Sequence, residues 1–242
     1  ELLYYLCRAD MRGRICPDLS SQLDHIELFR LFAQEYGAWK ARDPYREFGT
    51  RIAADLASCT PSFRKLVIHS AIRELEQGTI FTPEEAIARS YRYRDGFSQQ
   101  VVLCGPSGSG KSTWVRAQGS EAVVIALDEI RAEINGRRGD QSRNGQVVHL
   151  AKERLKEALR RHHDVIWDAT CLRREHRAAL LQLGFDYRAL VTLVAFQVPE
   201  SDLLARNRAR PHPVPTEVLM DQMRAFDWPY LDEAHDLTVI AG

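Results

Sequence analysis

Two kinds of hydrophobic spacing divide the chain near residue 98. Before it, Leu23, Ile26, Leu28, Leu31 and Phe32 recur at helical spacing. Ile52, Ala53 and Leu56 do the same, followed by Phe63, Leu66, Val67, Ile72 and Leu75. Apolar residues three and four apart share one helix face, so this half reads as amphipathic helices. Local chemistry marks where they start. Asp18 or Ser20 is placed to cap the first long helix, and Thr60-Pro61 to open a later one. Thr82-Pro83-Glu84-Glu85 offers a capping hydroxyl, a proline at the first helical position and acids in the first turn, where the helix dipole favours negative charge. No strand longer than a few residues is expected over 1–97.

After residue 98 short apolar runs alternate with helical patterns. The runs cover 100–104, 122–127, 164–168 and 190–198, with a last strand over 237–240. The helices between them cover 111–118, 128–135, 146–162, 173–183, 200–208 and 215–226. Strands separated by helices pair in parallel through crossovers, so the expected class is α/β, a parallel sheet flanked by helices. The boundaries are a helical segment over 1–97 and an α/β domain over 98–242. The longest apolar run, 189–196, reads as a buried strand and falls short of the roughly 18–20 residues that span a bilayer. Residues 137–144 (RRGDQSRN) are the most loop-like stretch of the second half.

Composition narrows the picture only slightly. With 45% hydrophobic and 27% charged residues the chain has the balance of an ordinary globular protein. Its net charge is zero, so any nucleic-acid contact must come from a local arginine cluster rather than a broad basic face. Cys7, Cys16, Cys59, Cys104 and Cys171 are scattered without a C-x-x-C pair, which argues against a disulfide framework or a zinc site. A reducing, cytoplasmic compartment is the expectation. No signal-peptide pattern is visible. The sequence begins at Glu1 and not Met, and a fragment with chain upstream of it is expected.

Gly105-Pro106-Ser107-Gly108-Ser109-Gly110-Lys111-Ser112 fits G-x-x-x-x-G-K-[ST] in full, with Thr113 following. An apolar run precedes it and a helical pattern follows. Glycines permit a tight loop after a strand, and the amides at the helix start then point at phosphates. Lys111 would reach the β- and γ-phosphates of a nucleoside triphosphate, and the Ser112 hydroxyl would ligate Mg²⁺. Such loops serve hydrolases, switches, motors and kinases alike, so later residues must choose. Asp128 follows the second run, with Arg131 on the same helix face; an acid there would accept a proton from an attacking hydroxyl, or simply cap the helix. Asp168 ends the third run, where an acid organises Mg²⁺ or caps the next helix. Arg206 and Arg210 precede a proline-rich hinge and are expected to share one face of a lid helix.

Other signals are weaker. His162-His163-Asp164 looks like a metal pair but lacks further ligands in register. Asp24-His25 reads as surface or core filler, Asp140 as part of a solvated loop or a group near the acceptor, and Trp114 as a core residue. Arg137, Arg138, Arg143, Arg173 and Arg174 would line a path for strand phosphates or sit in solvent.

Taken together, GPSGSGKSTW, LDEIRAEI, WDATCLRREHR and LLARNRAR with the following PVP resemble the 5′-hydroxyl polynucleotide kinases of phage and bacterial end-healing systems, over about residues 100–226. The resemblance implies a P-loop NTPase fold, ATP as donor, Mg²⁺, and RNA or DNA 5′-OH ends as acceptor. It implies that Asp128 is the general base, that Arg131 contacts the scissile phosphate region or the acceptor end, and that Lys111 and Ser112 hold phosphate and metal. It further implies that Asp168 organises Mg²⁺, that Arg206 and Arg210 are lid arginines, and that Val214 packs near the adenine. The family often has Asn after the Thr of its third motif, where Cys171 stands here. Residues 8–14 (RADMRGR) resemble the trailing segment of HD-type phosphohydrolase domains, and LVIHS over 66–70 with FTPEEAIAR over 81–89 a helical connector. An upstream HD phosphoesterase is therefore expected. The alternatives are a small-molecule P-loop kinase, such as a sugar or antibiotic phosphotransferase, and a nucleotide-binding adaptor module.

Overall fold

A computed structural model describes residues 1–15, 17–40, 43–119, 121–137, 140, 142–210 and 213–242. Cys16, Arg138 and the Pro211-His212 part of the hinge, singled out from the sequence, lie outside the described residues.

The first half is helical, with no strand among its described residues. Helices α1 (Leu2–Arg12) and α2 (Leu19–Glu35) form a pair joined through Tyr4. The buried Tyr4 hydroxyl donates to Glu27 Oε2 at 2.8 Å and accepts from Arg8 Nη1 at 2.7 Å, while its ring meets Trp39 edge-on at 5.3 Å. Leu2, Leu6, Phe32 and Tyr36 of this pair and its C-terminal end remain exposed. Helices α3 (Arg46–Asp55), α4 (Pro61–Glu76) and α5 (Pro83–Arg89) close around Ile52, Leu66, Val67, Ile80 and Tyr93. The Thr60 and Thr82 hydroxyls accept from the amides of Phe63 and Glu85, both at 3.3 Å, as N-caps do. Asp18 behaves differently. It is the N-cap residue of α2, but at φ −106° and ψ 26° its backbone is not extended and its side chain makes no capping bond, while its carboxylate accepts from the Gln22 side chain.

The second half is a five-stranded sheet of β1 (Gln99–Cys104), β2 (Val123–Ala126), β3 (Val165–Asp168), β4 (Leu190–Gln197) and β5 (Asp236–Ala241). Its order is β2-β3-β1-β4-β5, and every pair is parallel. Helices α6 (Lys111–Gln118), α7 (Leu127–Asn135), α8 (Asn144–Arg160), α9 (Arg174–Asp186), α10 (Glu200–Arg208) and α11 (Thr216–Arg224) make the crossovers. Chain leaving β1 runs to one side for β2 and β3, and then returns past β1 to β4 on the other. The order therefore switches at β1, and the crevice beyond its carboxyl end is where a ligand sits in such sheets. Val102, Leu103, Val165, Trp167, Leu193 and Val194 fill the two faces. Helix α9 packs so closely that a Cβ on Gly184 would come within 2.3 Å of the buried Gln100 Oε1. Trp114 lies partly buried, edge-on to Phe196 at 6.4 Å.

The two halves share a core, since Leu190 of β4 is buried with the α3–α5 cluster. Lys65 pairs with Asp236, and Arg73 stacks 3.7 Å from the Phe185 ring centre. His235 is the buried polar link between them. Its Nδ1 accepts the Val191 N–H at 3.0 Å and its Nε2 faces Ser70 Oγ at 3.4 Å. Burial first, and then the charges of His69 and Arg73, together push the His235 pKa down to about 3. The unfolded chain takes a proton on this ring below about pH 6.5, whereas the folded chain does not. Stability held above that pH is therefore lost as pH falls toward 3. His235→Gln should lower the urea midpoint at pH 7.5 yet lose less stability between pH 6.5 and 4 than the parent; equal losses in that window would refute this origin for the acid sensitivity.

Candidate functional site

The loop after β1 crosses the switch point and enters α6 at Lys111. Gly108 and Gly110 have φ of +85° and +102°, the left-handed region that a side chain disfavours. The Gly110 carbonyl receives the amides of Thr113 and Trp114 at 3.1 and 2.9 Å, which starts the helix. The first N–H groups of any helix have no partner within it, so this end of α6 presents donors to an anion.

Lys111 is only 8% exposed. Its Nζ donates to the Gly105 and Pro106 carbonyls, each at 2.8 Å, and lies 3.4 Å from Ser109 Oγ. Burial pushes its pKa down to about 8, and the nearby Asp168 charge opposes that shift. Asp168 is brought there by the sheet. Because β3 pairs directly with β1, Val102 opposite Trp167, the carboxyl end of β3 stands beside the loop. The Ser112 hydroxyl donates to Asp168 Oδ2 at 2.9 Å, and the Gly105 amide donates to the Thr170 carbonyl at 2.9 Å. A hydroxyl and a carboxylate are hard oxygen donors of the kind Mg²⁺ takes, alongside phosphate oxygens and water. Among the described residues no three His, Cys, Asp or Glu side chains gather as a metal cluster. In particular, Asp164 accepts from the Gln99 backbone amide at 2.7 Å at the other end of the sheet, and His162 and His163 lie in the turn before β3.

Asp128 and Arg131 sit on the first turns of α7, with the Arg131 guanidinium donating to the Asp128 carboxylate. Asp128 makes no capping bond; Ala126 occupies the N-cap. The arginine side chain is 16% exposed and the carboxylate side chain 65%. Strand β2 lies two places from β1, so the carboxyl ends of the two strands stand roughly 10 Å apart, at about 4.8 Å per strand, and Asp128 follows the outer one. A cavity of about 360 Å³ opens beside β2, among Val124, Ile130, Arg154 and Arg161, and includes none of the P-loop residues.

The lid arginines depart from expectation. Helix α10 ends at Arg208, so Arg210 lies beyond the C-cap Ala209 and does not share a helix face with Arg206. The Arg206 guanidinium lies against Gly242, where a Cβ would sit 3.2 Å from Nη1. Arg210 is the one whose charge bears on Lys111. The buried Asn207 clasps Val214 from both sides, its Nδ2 donating to the Val214 carbonyl at 2.7 Å and its Oδ1 accepting the Val214 amide at 3.0 Å. Of the outer arginines, Arg174 pairs with Asp232, Arg173 lies 3.9 Å from Glu175, and Arg137 and Arg143 are exposed.

Three contacts carry no signal in the linear sequence. Gln222 of α11 accepts the Ser107 amide at 2.8 Å. The fully buried Arg177 binds Glu233 through two 2.9 Å bonds. Its Nη1 donates to the Cys171 and Leu172 carbonyls at 3.1 and 2.8 Å, which fixes the segment after Asp168. Cys171 has φ +44°, a conformation that Asn tolerates better than most residues. Burial raises the Cys171 thiol to about 12 and the Cys104 thiol to about 11, so neither is a ready nucleophile.

A parallel sheet switching at β1, a glycine loop leading into α6 and the Ser112–Asp168 pair together define a P-loop nucleotide-binding domain of kinase-like fold. Residues 101–229 match the AAA domain family (AAA_33), and the chain belongs to that family. Similar solved structures include a sugar kinase from Janibacter sp. HTCC2649, 20% identical with a TM-score of 0.47 over 60% of this chain and 85% of that one. A gluconokinase from Sinorhizobium meliloti 1021 is 21% identical, with a TM-score of 0.44 over 60% and 83%. A Pnkp1/Rnl/Hen1 complex is 22% identical, with a TM-score of 0.42 over 49% and 41%. No curated protein sequence matches. No helix among the described residues is long and apolar enough to cross a membrane.

Removing one partner of a buried ion pair strands the other charge. Arg177→Met should therefore cost about 3–5 kcal/mol by urea denaturation, and adding Glu233→Met should restore much of it. Simply additive losses in the double variant would mean the pair is not coupled.

Proposed function

We propose that this protein transfers the γ-phosphate of ATP to the 5′-hydroxyl end of RNA or DNA. The observation that carries the reading is the Asp128–Arg131 pair, an exposed carboxylate held by a largely buried arginine, across β3 from Lys111. A P-loop by itself needs no such group, but a phosphoryl acceptor needs a base.

In this reading the amides of the loop, with Gly105, Ser107, Gly108, Ser109, Gly110 and Thr113 shaping it, hold the donor phosphates, and Lys111 neutralises their terminal end. Ser112 and Asp168 would hold Mg²⁺, which would supply positive charge to offset that of the donor phosphates. Asp128 takes the proton of the attacking 5′-hydroxyl as its oxygen bonds to the γ-phosphorus and the bond to the β-phosphate oxygen breaks. Arg131 keeps that carboxylate aimed and offers its remaining donors to the acceptor's own phosphate. Arg210, with Arg206 behind it, answers the charge that builds during transfer. Val214, fixed by Asn207, lies beside the base of the nucleotide. The helical half, read as the tail and connector of an HD phosphoesterase over 1–97, leaves apolar side chains of α1 and α2 exposed, as suits a segment covered by another domain. A small-molecule acceptor is the second reading. The zero net charge favours it, since a long polynucleotide path is usually basic.

With γ-labelled ATP and Mg²⁺, label should pass to a 5′-OH oligonucleotide and not to its 5′-phosphorylated twin. Absence of label from the oligonucleotide, with label on a sugar or other metabolite, would replace the first reading by the second. Asp128→Asn should lower the transfer rate by about 10²–10⁴-fold while nucleotide affinity stays within about twofold. Lys111→Ala should weaken nucleotide binding and transfer together; full affinity in that variant would remove the loop from the mechanism.

A further inference from the structure

Gln222 is the side chain through which α11 touches the phosphate loop. Its carboxamide oxygen accepts the Ser107 N–H at 2.8 Å. Only the oxygen can meet a backbone N–H, so the orientation of the amide is set, and what Gln222 still offers is the pair of donors on Nε2. Lys111 tells which part of a nucleotide would meet them. The P-loop lysine serves the β- and γ-phosphates, and here its Nζ bonds the carbonyls of Gly105 and Pro106. Ser107 is the next residue, so Gln222 stands at the same end of the loop. Its helix is also tied to the lid, because the Asn207 clasp on Val214 falls two residues before α11 begins.

We propose that Gln222 is a γ-phosphate contact. Its Oε1 holds the Ser107 amide while its Nε2 donates to a γ-phosphate oxygen, so α11 closes fully on a triphosphate but not on a diphosphate. The proposal rests on the reading of the P-loop as the site of an ATP donor, and it is independent of what the acceptor is.

Calorimetry of the whole chain with ADP and with a non-hydrolysable β,γ-imido ATP analogue, both with Mg²⁺, tests it. Gln222→Ala removes a hydrogen bond to the charged γ-phosphate and should weaken the analogue about tenfold, with ADP changed by less than about twofold. Gln222→Glu keeps an acceptor for Ser107 but sets a carboxylate against the γ-phosphate. It should weaken the analogue by about tenfold or more and ADP by less than about threefold. Wild-type affinities in Gln222→Glu would mean that the residue only supports the loop. Equal losses for both nucleotides would mean the same for the helix as a whole, and tighter binding by Gln222→Ala would mean that Gln222 competes with the phosphates. Each of these overturns the proposal alone. A parent protein that binds neither nucleotide would overturn the reading beneath it as well.

Discussion

The hydrogen bond from Ser112 to Asp168 can form only because β3 lies beside β1. Sequence neighbours β1 and β2 do not pair; β3 is inserted between them. That one placement sets the carboxyl end of the third strand against the start of α6, and it spaces Asp128 one strand further out. With β3 at the edge instead, the phosphate loop would face no acid and the base candidate would crowd the lysine. The distance across which a phosphoryl group would travel is therefore set by strand order, which in turn depends on apolar strands such as Val165–Asp168 being buried on both faces.

The placement needs support, because the segment after β3 must turn sharply. Gly105 donates to Thr170, Arg177 holds the carbonyls of Cys171 and Leu172, and Glu233 holds Arg177. The Arg177–Glu233 bonds are buried, where a charge is tolerated only with a partner of good geometry. Asp168 is thus positioned by a strand, and the loop behind it by a chain of polar contacts that reaches the C-terminal part of the molecule.

Features governed by local spacing were legible in the sequence. The glycine loop, the helix over 111–118, the helix over 200–208 and the hydroxyl caps at Thr60 and Thr82 depend on residues within a few positions of one another. Strand order, the Arg177–Glu233 pair and the Gln222 contact join residues far apart in the chain, and no short-range pattern encodes them. The lid shows the boundary between the two. Arg206 and Arg210 have helical spacing, but α10 ends at Arg208, and the residues before the proline-rich hinge part company. Asp18 shows it again, since residue type placed it at the N-cap of α2, where it stands, but its side chain makes no capping bond.

The central claim is that donor and acceptor meet between Lys111 and Asp128 on the carboxyl edge of the sheet. A crystal structure with ADP, Mg²⁺ and a 5′-OH oligonucleotide tests this most directly. The account predicts the terminal 5′-oxygen within hydrogen-bond reach of the Asp128 carboxylate and facing the β-phosphate across the gap. An acceptor end bound elsewhere, with Asp128 left in solvent, would contradict it.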